Sequence, residues 1–477
     1  MSWEAVVGLE VHVQLNTRSK LFSAAPNRFG DSPNTNISVA CTAQPGTLPV
    51  LNKEAVRKAV QFGLAVNAQI NLVSRFDRKS FFYPDSPKGF QITQFERPLL
   101  SGGVIEGEGK LFQIHHAHLE EDSGTLRHYP AFTGIDFNRA GTPLLEIVSE
   151  PCIQSAKEAK AFAFAVRRIL IYLDASECNM EEGSFRIDAN VSVRKKGEPL
   201  HRPKMEIKNL NSFSFMETAI ENEIQRQIAI YESHSERSFE ELIPPATARW
   251  DQEKKELVFI RKKVQADDYR YFPEPDLAPI VLTDEYVDWV RHTLPELPKE
   301  RYNRYVTDLG LNPQIASTLI NHKPVADYFE KALKTSTNPR LLANWICSEL
   351  TSQIVLSIPP PHISKLMRML DEKKITGPMA KRLTEEMIRS PKTDPETLTQ
   401  SNSDYQPLTS ESEIEPIIDR VLTEHPQSAL DFKAGKEKAL IFLTGQVMKL
   451  TNGKAEPKLV QDLLQKKILN QKPYDSA

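Results

Sequence analysis

Residues 6–15 read VVGLEVHVQL, and this stretch decides the fold of the N-terminal half. Its apolar and polar residues alternate, as they do in a β-strand that buries one face. The apolar set is Val7, Leu9, Val11, Val13 and Leu15. Glu10 and His12 then share the opposite face at roughly 7 Å, within reach of one divalent ion or one metal-bound phosphate. The alternative interpretation is an ordinary solvated sheet face.

Three further segments repeat this design of one apolar and one charged face. Residues 114–122 present His116, His118, Glu120 and Asp122, with Glu121 near the end of the strand. Residues 184–194 follow the acidic turn that contains Glu182 and present Ser184, Arg186, Asp188, Asn190, Ser192 and Arg194. Residues 204–208 present Lys204, Glu206 and Lys208. If these strands are neighbours in one antiparallel sheet, the polar face becomes a charged floor suited to phosphate and to Mg²⁺, which prefers oxygen ligands.

Glu146 is a carboxylate within the apolar run LLEIV of residues 144–148. A charged group that is buried among apolar side chains is costly unless it is paired. The sequence therefore predicts a partner for Glu146.

Two segments mix cations with aromatic rings. Residues 76–99, which include Lys79, read FDRKSFFYPDSPKGFQITQFERPL, and residues 267–273 read DDYRYFP. Cations neutralise phosphates and rings stack on bases, so this mixture is typical of a nucleotide site or of a site for single-stranded RNA. A structural hairpin whose rings contact the core fits the spacing equally well.

Helical patterns interrupt the strands and then replace them. One helix is predicted over residues 52–67, and another begins at Ser155, where Glu158 completes a capping-box pattern. From residue 294 onward helical spacing dominates. Residues 390–407 have the composition of a linker, and residues 411–468 form a lysine-rich tail. Three glycines are expected to separate short helices in this tail: Gly435, Gly445 and Gly453.

The bulk composition is that of a folded, soluble protein with no dominant charge. The 477 residues carry a net charge of -3, so any RNA contact must be a local patch. Four scattered cysteines favour a reducing cytoplasmic location, and neither a signal peptide nor a membrane span is predicted. The sequence contains no P-loop motif, no GxGxxG motif and no GxSxG motif. We therefore expect neither a P-loop nor a Rossmann nucleotide site.

Eight ordered motifs resemble the signatures of the B subunit of bacterial aspartyl/glutamyl-tRNA amidotransferase. They are VVGLEVHVQLNTRSKLF, PGTLPVLNKEAV, FDRKSFFYPDSPKGFQITQFERPL, HLEEDSG, NRAGTPLLEIVSEP, MEEGSFRIDANVSVR, EIKNLNSF and DYRYFPEPDL. The resemblance extends to DFKAGKEKALIFLTGQVMK near the C-terminus, so it covers nearly the whole chain.

The resemblance implies an α+β protein with three domains. An antiparallel-sheet cradle domain would span residues 1–293, an all-α helical domain residues 294–406, and a small α-helical tail similar to the YqeY family residues 407–477. The cradle would bind ATP, Mg²⁺ and the acceptor end of mischarged Glu-tRNA(Gln) or Asp-tRNA(Asn). An amidase-fold A subunit would supply ammonia from glutamine, and a small C subunit would complete a heterotrimer.

The same resemblance assigns roles to individual residues. The magnesium-binding set would be Glu10, His12, Glu120, Glu121 and Asp188. Lys79 would meet ATP phosphate or the transferring phosphoryl group and would act with Glu10 and His12 as the catalytic set. Residues that bind the nucleotide would be Lys79, Glu182, Ser184, Arg186 and Lys208. Glu206 and Lys208 would line the cavity or an ammonia tunnel.

One departure from the family concerns zinc. Some relatives carry paired cysteines in the loops after the first strand, whereas this sequence has Ser23 and Ala25 near that place and keeps only Cys41. We therefore expect no zinc site in these loops.

Two rival interpretations and one further hypothesis remain open at this point. The chain could be a tRNA-binding scaffold whose metal is structural, or a free-standing metal-dependent phosphohydrolase that uses the same carboxylates. In the tail, lysines are predicted to contact tRNA phosphates, although solvated helix faces would look the same. They are Lys433, Lys436, Lys438, Lys449 and Lys454.

Overall fold

The computed structural model describes residues 2–198, 202–234, 237–262, 266–349 and 357–470. The chain divides into two units, Met1–Pro298 and Lys299–Ala477. The first unit carries β-sheets covered by helices, and the second is helical throughout its described residues. The α+β prediction is therefore confirmed.

A large sheet organises the first unit around strand β1, Trp3–Gln14. Its other strands are β2 (Gln69–Ile70), β6 (Leu100–Ser101), β7 (Val104–Gly107), β8 (Lys110–Glu121), β11 (Pro143–Ser149), β12 (Phe185–Lys195), β13 (Met205–Lys208), β14 (Ala246–Asp251) and β15 (Glu256–Lys262). The strand order is β15-β14-β13-β12-β1-β11-β8-β6-β2, and β7 pairs with β8. The pairings are antiparallel except for the parallel pair β13 and β14. Polar side chains of β1, β8, β11 and β12 thus meet on one face.

Smaller sheets flank this one. Strand β4 (Asp77–Ser80) lies between β5 (Phe90–Thr93) and β16 (Phe272–Pro273). Strands β9 (Thr125–His128) and β10 (Thr133–Asp136) form a hairpin, and β3 (Val73–Ser74) pairs with β17 (Ile280–Val281). The β4–β5–β16 sheet therefore brings together the two segments in which the sequence mixes aromatic rings with cations.

Helices cover the apolar face of the large sheet. They are α1 (Lys53–Ala65), α2 (Ala156–Tyr172), α3 (Phe213–Ser233), α4 (Phe239–Leu242) and α5 (Asp284–His292). Val60, Phe162 and Ile220, one from each of the three longest, are fully buried in one core with Val7, Leu9 and the other apolar residues of β1. Burial of these apolar side chains away from water is the main stabilising contribution to the first unit.

The two predicted helix starts are present, with one correction. The side chains of Asn52 and Ser155 cap α1 and α2 by accepting hydrogen bonds from backbone N–H groups. The expected capping box at Ser155 is wrong, because Glu158 Oε2 accepts from the backbone N–H of Gln154, at 2.8 Å, rather than from that of Ser155.

The second unit contains helices α6 (Pro298–Thr307), α7 (Pro313–Asn321), α8 (Lys323–Leu333), α9 (Pro339–Glu349), α10 (Pro360–Asp371), α11 (Gly377–Arg389), α12 (Pro395–Ser401), α13 (Glu411–Glu424), α14 (Pro426–Lys433), α15 (Glu437–Leu450) and α16 (Pro457–Asn470). Two separate hydrophobic cores hold them, one running from Tyr305 to Tyr405 and one from Ile414 to Ile468. The predicted division into three domains stays a prediction.

Two local expectations in this unit are wrong. Part of the supposed linker is helix α12, which Asp394 caps and Pro395 starts, and Tyr405 is buried against the helical core. Gly445 lies inside α15, where a single glycine is tolerated, whereas Gly435 and Gly453 adopt positive φ beyond helix ends. In the described part of the chain, helices fall short of the length and apolar character that crossing a bilayer requires.

Candidate active site

A cavity of about 790 Å³ opens on the polar face of the large sheet. Its lining includes Glu10, His12, Lys79, Thr93, Phe95, His116, His118, Glu120, Glu146, Glu206, Lys208, Arg261, Tyr269 and Tyr271. The strand register explains the centre of this lining. His12 of β1 pairs with Glu146 of β11, and Glu146 pairs with His118 of β8, so a carboxylate lies between two imidazoles in one row across three strands.

Two carboxylates and two imidazoles converge at the floor of the cavity. His12 Nε2 lies 3.3 Å from Glu146 Oε2 and 3.7 Å from Glu120 Oε1. His118 Nε2 lies 3.4 Å from Glu146 Oε2 and 3.8 Å from Glu120 Oε2. Thr93 donates a hydrogen bond to Glu120 Oε2 at 3.1 Å and so holds this carboxylate in place.

The charges of this cluster stabilise one another. Burial disfavours a proton on His12, but the carboxylates of Glu146 and Glu120 outweigh burial and raise the pKa of His12 to about 9. Burial likewise acts against ionisation of Glu146, yet His118 and His12 hold its pKa well below the usual range. At His116 the influence of Glu146 is too small to compensate, and burial together with His118 lowers the pKa of His116 to about 4.

Lys79 reaches this cavity from β4, outside the large sheet. Burial acts against its charge, but Glu120, Tyr271 and Glu146 more than compensate and raise its pKa. Its Nζ lies 4.9 Å from the ring centroid of Tyr269. Lys79 therefore places a lasting positive charge beside the carboxylates.

A second acid–base group continues along the polar face. Glu10 accepts a hydrogen bond from Asn190 Nδ2 at 2.8 Å. Lys208 Nζ lies 2.8 Å from Asp188 Oδ2. Burial opposes the charge of Lys208, but Asp188 and Glu206 outweigh burial and raise the pKa of Lys208. Glu10 and Lys208 line the cavity, whereas Asp188 is outside its lining and bonds Lys208 from the side.

The structure does not bring all predicted site residues to this cavity. Glu121 follows Glu120 on the strand and points to the opposite face, where Lys88 and the backbone N–H of Ile92 bind its carboxylate. Arg186 is bound to the buried Asp122 at 2.8 Å. The Ser184 hydroxyl bonds the backbone of Asn179, and Glu182 is exposed in the preceding turn.

Cys41 lines a separate cavity of about 290 Å³, with Lys20 and Glu121 among its neighbours. Its Sγ lies 3.4 Å from Ser23 Oγ and 3.3 Å from Ser38 Oγ. Burial would raise the pKa of this thiol, but hydrogen bonds with the two serines and the ammonium of Lys20 lower it. The Cys41 thiol thus has two serine hydroxyls as neighbours. The expected absence of zinc in these loops stays a prediction.

Sequence reasoning missed several members of the site. Glu146 was expected to have a partner, which is confirmed, but nothing in its local sequence indicated that the partners would be His12 and His118. The place of Glu146 depends on β11 lying between β1 and β8, which is a property of sheet order. The family resemblance assigns no role to His118 or Tyr271, although the strand pattern places His118 on the polar face and Tyr271 belongs to a segment that mixes rings with cations.

The cluster has the chemistry of a divalent-cation site. Ligand atoms of His12, Glu120 and Glu146 lie within 4.8 Å of one another, and no other group of three such side chains does so among the described residues. The two carboxylates suit Mg²⁺ or Mn²⁺, which take a few protein oxygens together with water and phosphate ligands, whereas the imidazole is a ligand more typical of softer divalent ions. The residues present therefore fit a divalent cation.

Comparisons with known proteins match nearly the whole chain. The family profile described as GatB/GatE catalytic domain matches residues 5–288, and the profile described as GatB domain matches residues 327–468. A protein of Protochlamydia amoebophila, named as the B subunit of aspartyl/glutamyl-tRNA(Asn/Gln) amidotransferase, is 54% identical, with 98% of this chain and 97% of that protein covered. A protein of the same name from Chlamydia abortus is 51% identical, with 97% of each chain covered.

Proposed function

This chain belongs to the family of aspartyl/glutamyl-tRNA(Asn/Gln) amidotransferase B subunits, and we propose on that premise that its cavity activates the side-chain carboxylate of a mischarged aminoacyl-tRNA. The substrates are Glu-tRNA(Gln), Asp-tRNA(Asn) or both. The products are the corresponding Gln-tRNA(Gln) and Asn-tRNA(Asn). The observation that carries the proposal is the convergence of His12, Glu120 and Glu146 beside Lys79 in one cavity.

The reaction requires activation because a carboxylate does not accept ammonia directly. The γ-phosphoryl group of ATP passes to a carboxylate oxygen, ADP leaves, and an acyl phosphate forms. Ammonia then attacks the carbonyl carbon, inorganic phosphate leaves and the amide remains. Mg²⁺ held by His12, Glu120 and Glu146 would supply charge neutralisation for the phosphate oxygens.

Residues of the cavity divide this work. His12, Glu120 and Glu146 would hold Mg²⁺, with Glu10 close by on the same strand as His12. Lys79 would neutralise the phosphoryl group, since its raised pKa keeps it charged. Lys208, kept protonated by Asp188 and Glu206, would offer a second cation to the nucleotide or the substrate.

The other predicted residues take indirect places in this proposal. Glu121 faces the second cavity and would not contact this ion. Asp188 would act by holding Lys208, and Arg186 by holding Asp122. The Ser184 hydroxyl and the backbone N–H of Glu182 bond Asn179 in the turn before β12.

The name of the family implies a multi-subunit enzyme. We propose that an amidase-fold A subunit delivers ammonia from glutamine and that a small C subunit joins the two in the cytoplasm. ATP and Mg²⁺ are the proposed cofactors, without zinc. The lysines of the tail would grip tRNA phosphates, among them Lys436 and Lys449.

The experiment compares two glutamates of the same unit in the assembled amidotransferase. Ammonium chloride replaces glutamine, so the assay reports this subunit's chemistry without glutamine hydrolysis. We expect Glu120→Gln to lower amide formation on mischarged tRNA by about 10²- to 10³-fold, because loss of a metal ligand removes several kcal/mol of charge stabilisation. Binding of tRNA should persist.

Glu108→Gln, at an exposed surface position, is the matched control and should form amide at the wild-type rate. Turnover of Glu120→Gln at the wild-type rate would defeat the assignment.

A further inference from the structure

Two segments that are distant in sequence place the rings of Phe95 and Tyr271, 176 residues apart, at one side of the cavity. Phe95 follows β5 and Tyr271 precedes β16, and both strands pair with β4. Their rings lie parallel, with centroids 4.1 Å apart and planes inclined by 5°. Both residues line the cavity that contains His12, Glu120 and Glu146. The pair therefore forms a flat wall beside the candidate active site.

These rings are not part of the hydrophobic core. Phe95 is 51% exposed, and the nearby Phe82 and Tyr83 of the same segment are 80% and 49% exposed. Phe76, at the start of that segment, is by contrast 2% exposed and packs in the core. Exposed apolar groups that cluster beside polar residues are typical of a binding site. We call Phe82, Tyr83, Phe95 and Tyr271 the aromatic rim.

Arginines accompany the aromatic rim. Arg261 donates a hydrogen bond from Nη1 to the hydroxyl of Tyr83 at 3.0 Å, and it also lines the cavity with Phe95 and Tyr271. Arg270 lies with its guanidinium carbon 5.9 Å from the ring centroid of Phe82. Both arginines are exposed at the surface. The rim thus offers ring faces for bases and positive charge for a phosphate backbone.

We infer that the aromatic rim stacks on bases of the single-stranded 3′ end of the tRNA and so guides the terminal, aminoacylated nucleotide into the cavity. A double helix stacks its bases on one another and leaves no faces for protein rings, whereas a single strand does. The amino acid is esterified to the last nucleotide of that strand, so a base on Phe95 lies beside the cavity in which the carboxylate must react. This inference rests on the proposed function for its substrate.

The test is tRNA binding without ATP, so it is independent of the phosphorylation chemistry. The complete chain in the assembled amidotransferase is titrated with intact tRNA(Gln) and with the same tRNA trimmed of its single-stranded 3′ nucleotides. Phe95→Ala should weaken binding of intact tRNA by about 5- to 100-fold, the range for loss of one stacked base. It should leave binding of the trimmed tRNA unchanged. Phe95→Tyr retains the ring and should bind intact tRNA as the wild type does.

Phe132 provides a matched control, since it is also an exposed phenylalanine stacked on a tyrosine, Tyr129, but lies outside the cavity lining. Phe132→Ala should bind both RNAs as the wild type does. Wild-type affinity of Phe95→Ala for intact tRNA would overturn the inference, and so would an equal loss on trimmed tRNA or in Phe132→Ala. If Phe95→Ala does not fold, Phe95→Leu replaces it and must show the same selective loss. The two proposals can fail separately. Wild-type tRNA binding by Phe95→Ala together with an inactive Glu120→Gln variant would overturn only this inference. Selective loss of tRNA binding in Phe95→Ala together with wild-type turnover of Glu120→Gln would overturn only the proposed metal site.

Discussion

Glu120 and Asp122 occupy neighbouring positions on the same face of β8 and its end, and both are buried, yet their surroundings differ. Asp122 is held by the guanidinium of Arg186 at 2.8 Å, by Gln14 at 2.9 Å and by Arg139 at 3.5 Å. Glu120 is contacted by two imidazoles, a threonine hydroxyl and a second carboxylate, and the charge of Lys79 acts on it from further away.

The two acids differ in whether the groups in contact with them keep their positive charge. An arginine stays charged and cannot be displaced without leaving a buried charge unpaired, so Asp122 has the character of a structural anchor. An imidazole can give up its proton, so the carboxylates of Glu120 and Glu146 can exchange that proton for a metal ion. Comparing partner chemistry therefore separates the two roles where burial and strand position do not.

The largest expected effect on stability is at the anchor. Asp122→Asn should lower the free energy of unfolding of the first unit by about 2–4 kcal/mol, because two arginines lose their anionic partner. Three of the four tryptophans lie in this unit, so urea unfolding followed by tryptophan fluorescence reports it.

The companion variant for that measurement is Glu120→Gln. It should change the same free energy by less than about 1 kcal/mol, since loss of one of two adjacent carboxylates also relieves their repulsion. Equal destabilisation by both variants would erase the distinction between anchor and cation site.

An effect on catalysis rather than on folding is expected for Lys79, the cation beside the cluster. Lys79→Met should lower amide formation about 100-fold, because a pre-placed charge for the phosphoryl group is lost. Its unfolding midpoint should fall less than that of Asp122→Asn. Lys110→Met, at a surface ion pair with Glu158, is the control and should retain activity. Unimpaired amide formation by Lys79→Met would place the phosphoryl group elsewhere.

The same region shows which features of the site can be predicted from the sequence. Period-2 alternation correctly placed Glu10 with His12, and Glu120 with His118, on the polar face, because that rule depends only on strand geometry. The same rule would have separated Glu121 from Glu120, but the family resemblance grouped them. Motif similarity transfers residues together without saying which way each side chain points.

Other features of the site depend on information that no local pattern contains. The position of Glu146 between His12 and His118 follows from strand order, and the partnership of Arg186 with Asp122 joins residues 64 positions apart. The stack of Phe95 on Tyr271 requires β4 to pair with both β5 and β16. Each is a long-range pairing, which becomes visible only in the folded chain.

Direct titration of metal-free protein with Mn²⁺, followed by the electron paramagnetic resonance signal of the free ion, tests the central claim most directly. The account predicts a bound ion in the wild type, at least a roughly tenfold weaker affinity in Glu146→Gln, and wild-type affinity in folded Asp122→Asn. Wild-type affinity in Glu146→Gln, or an equal loss in Asp122→Asn, would contradict the claim that His12, Glu120 and Glu146 hold the cation.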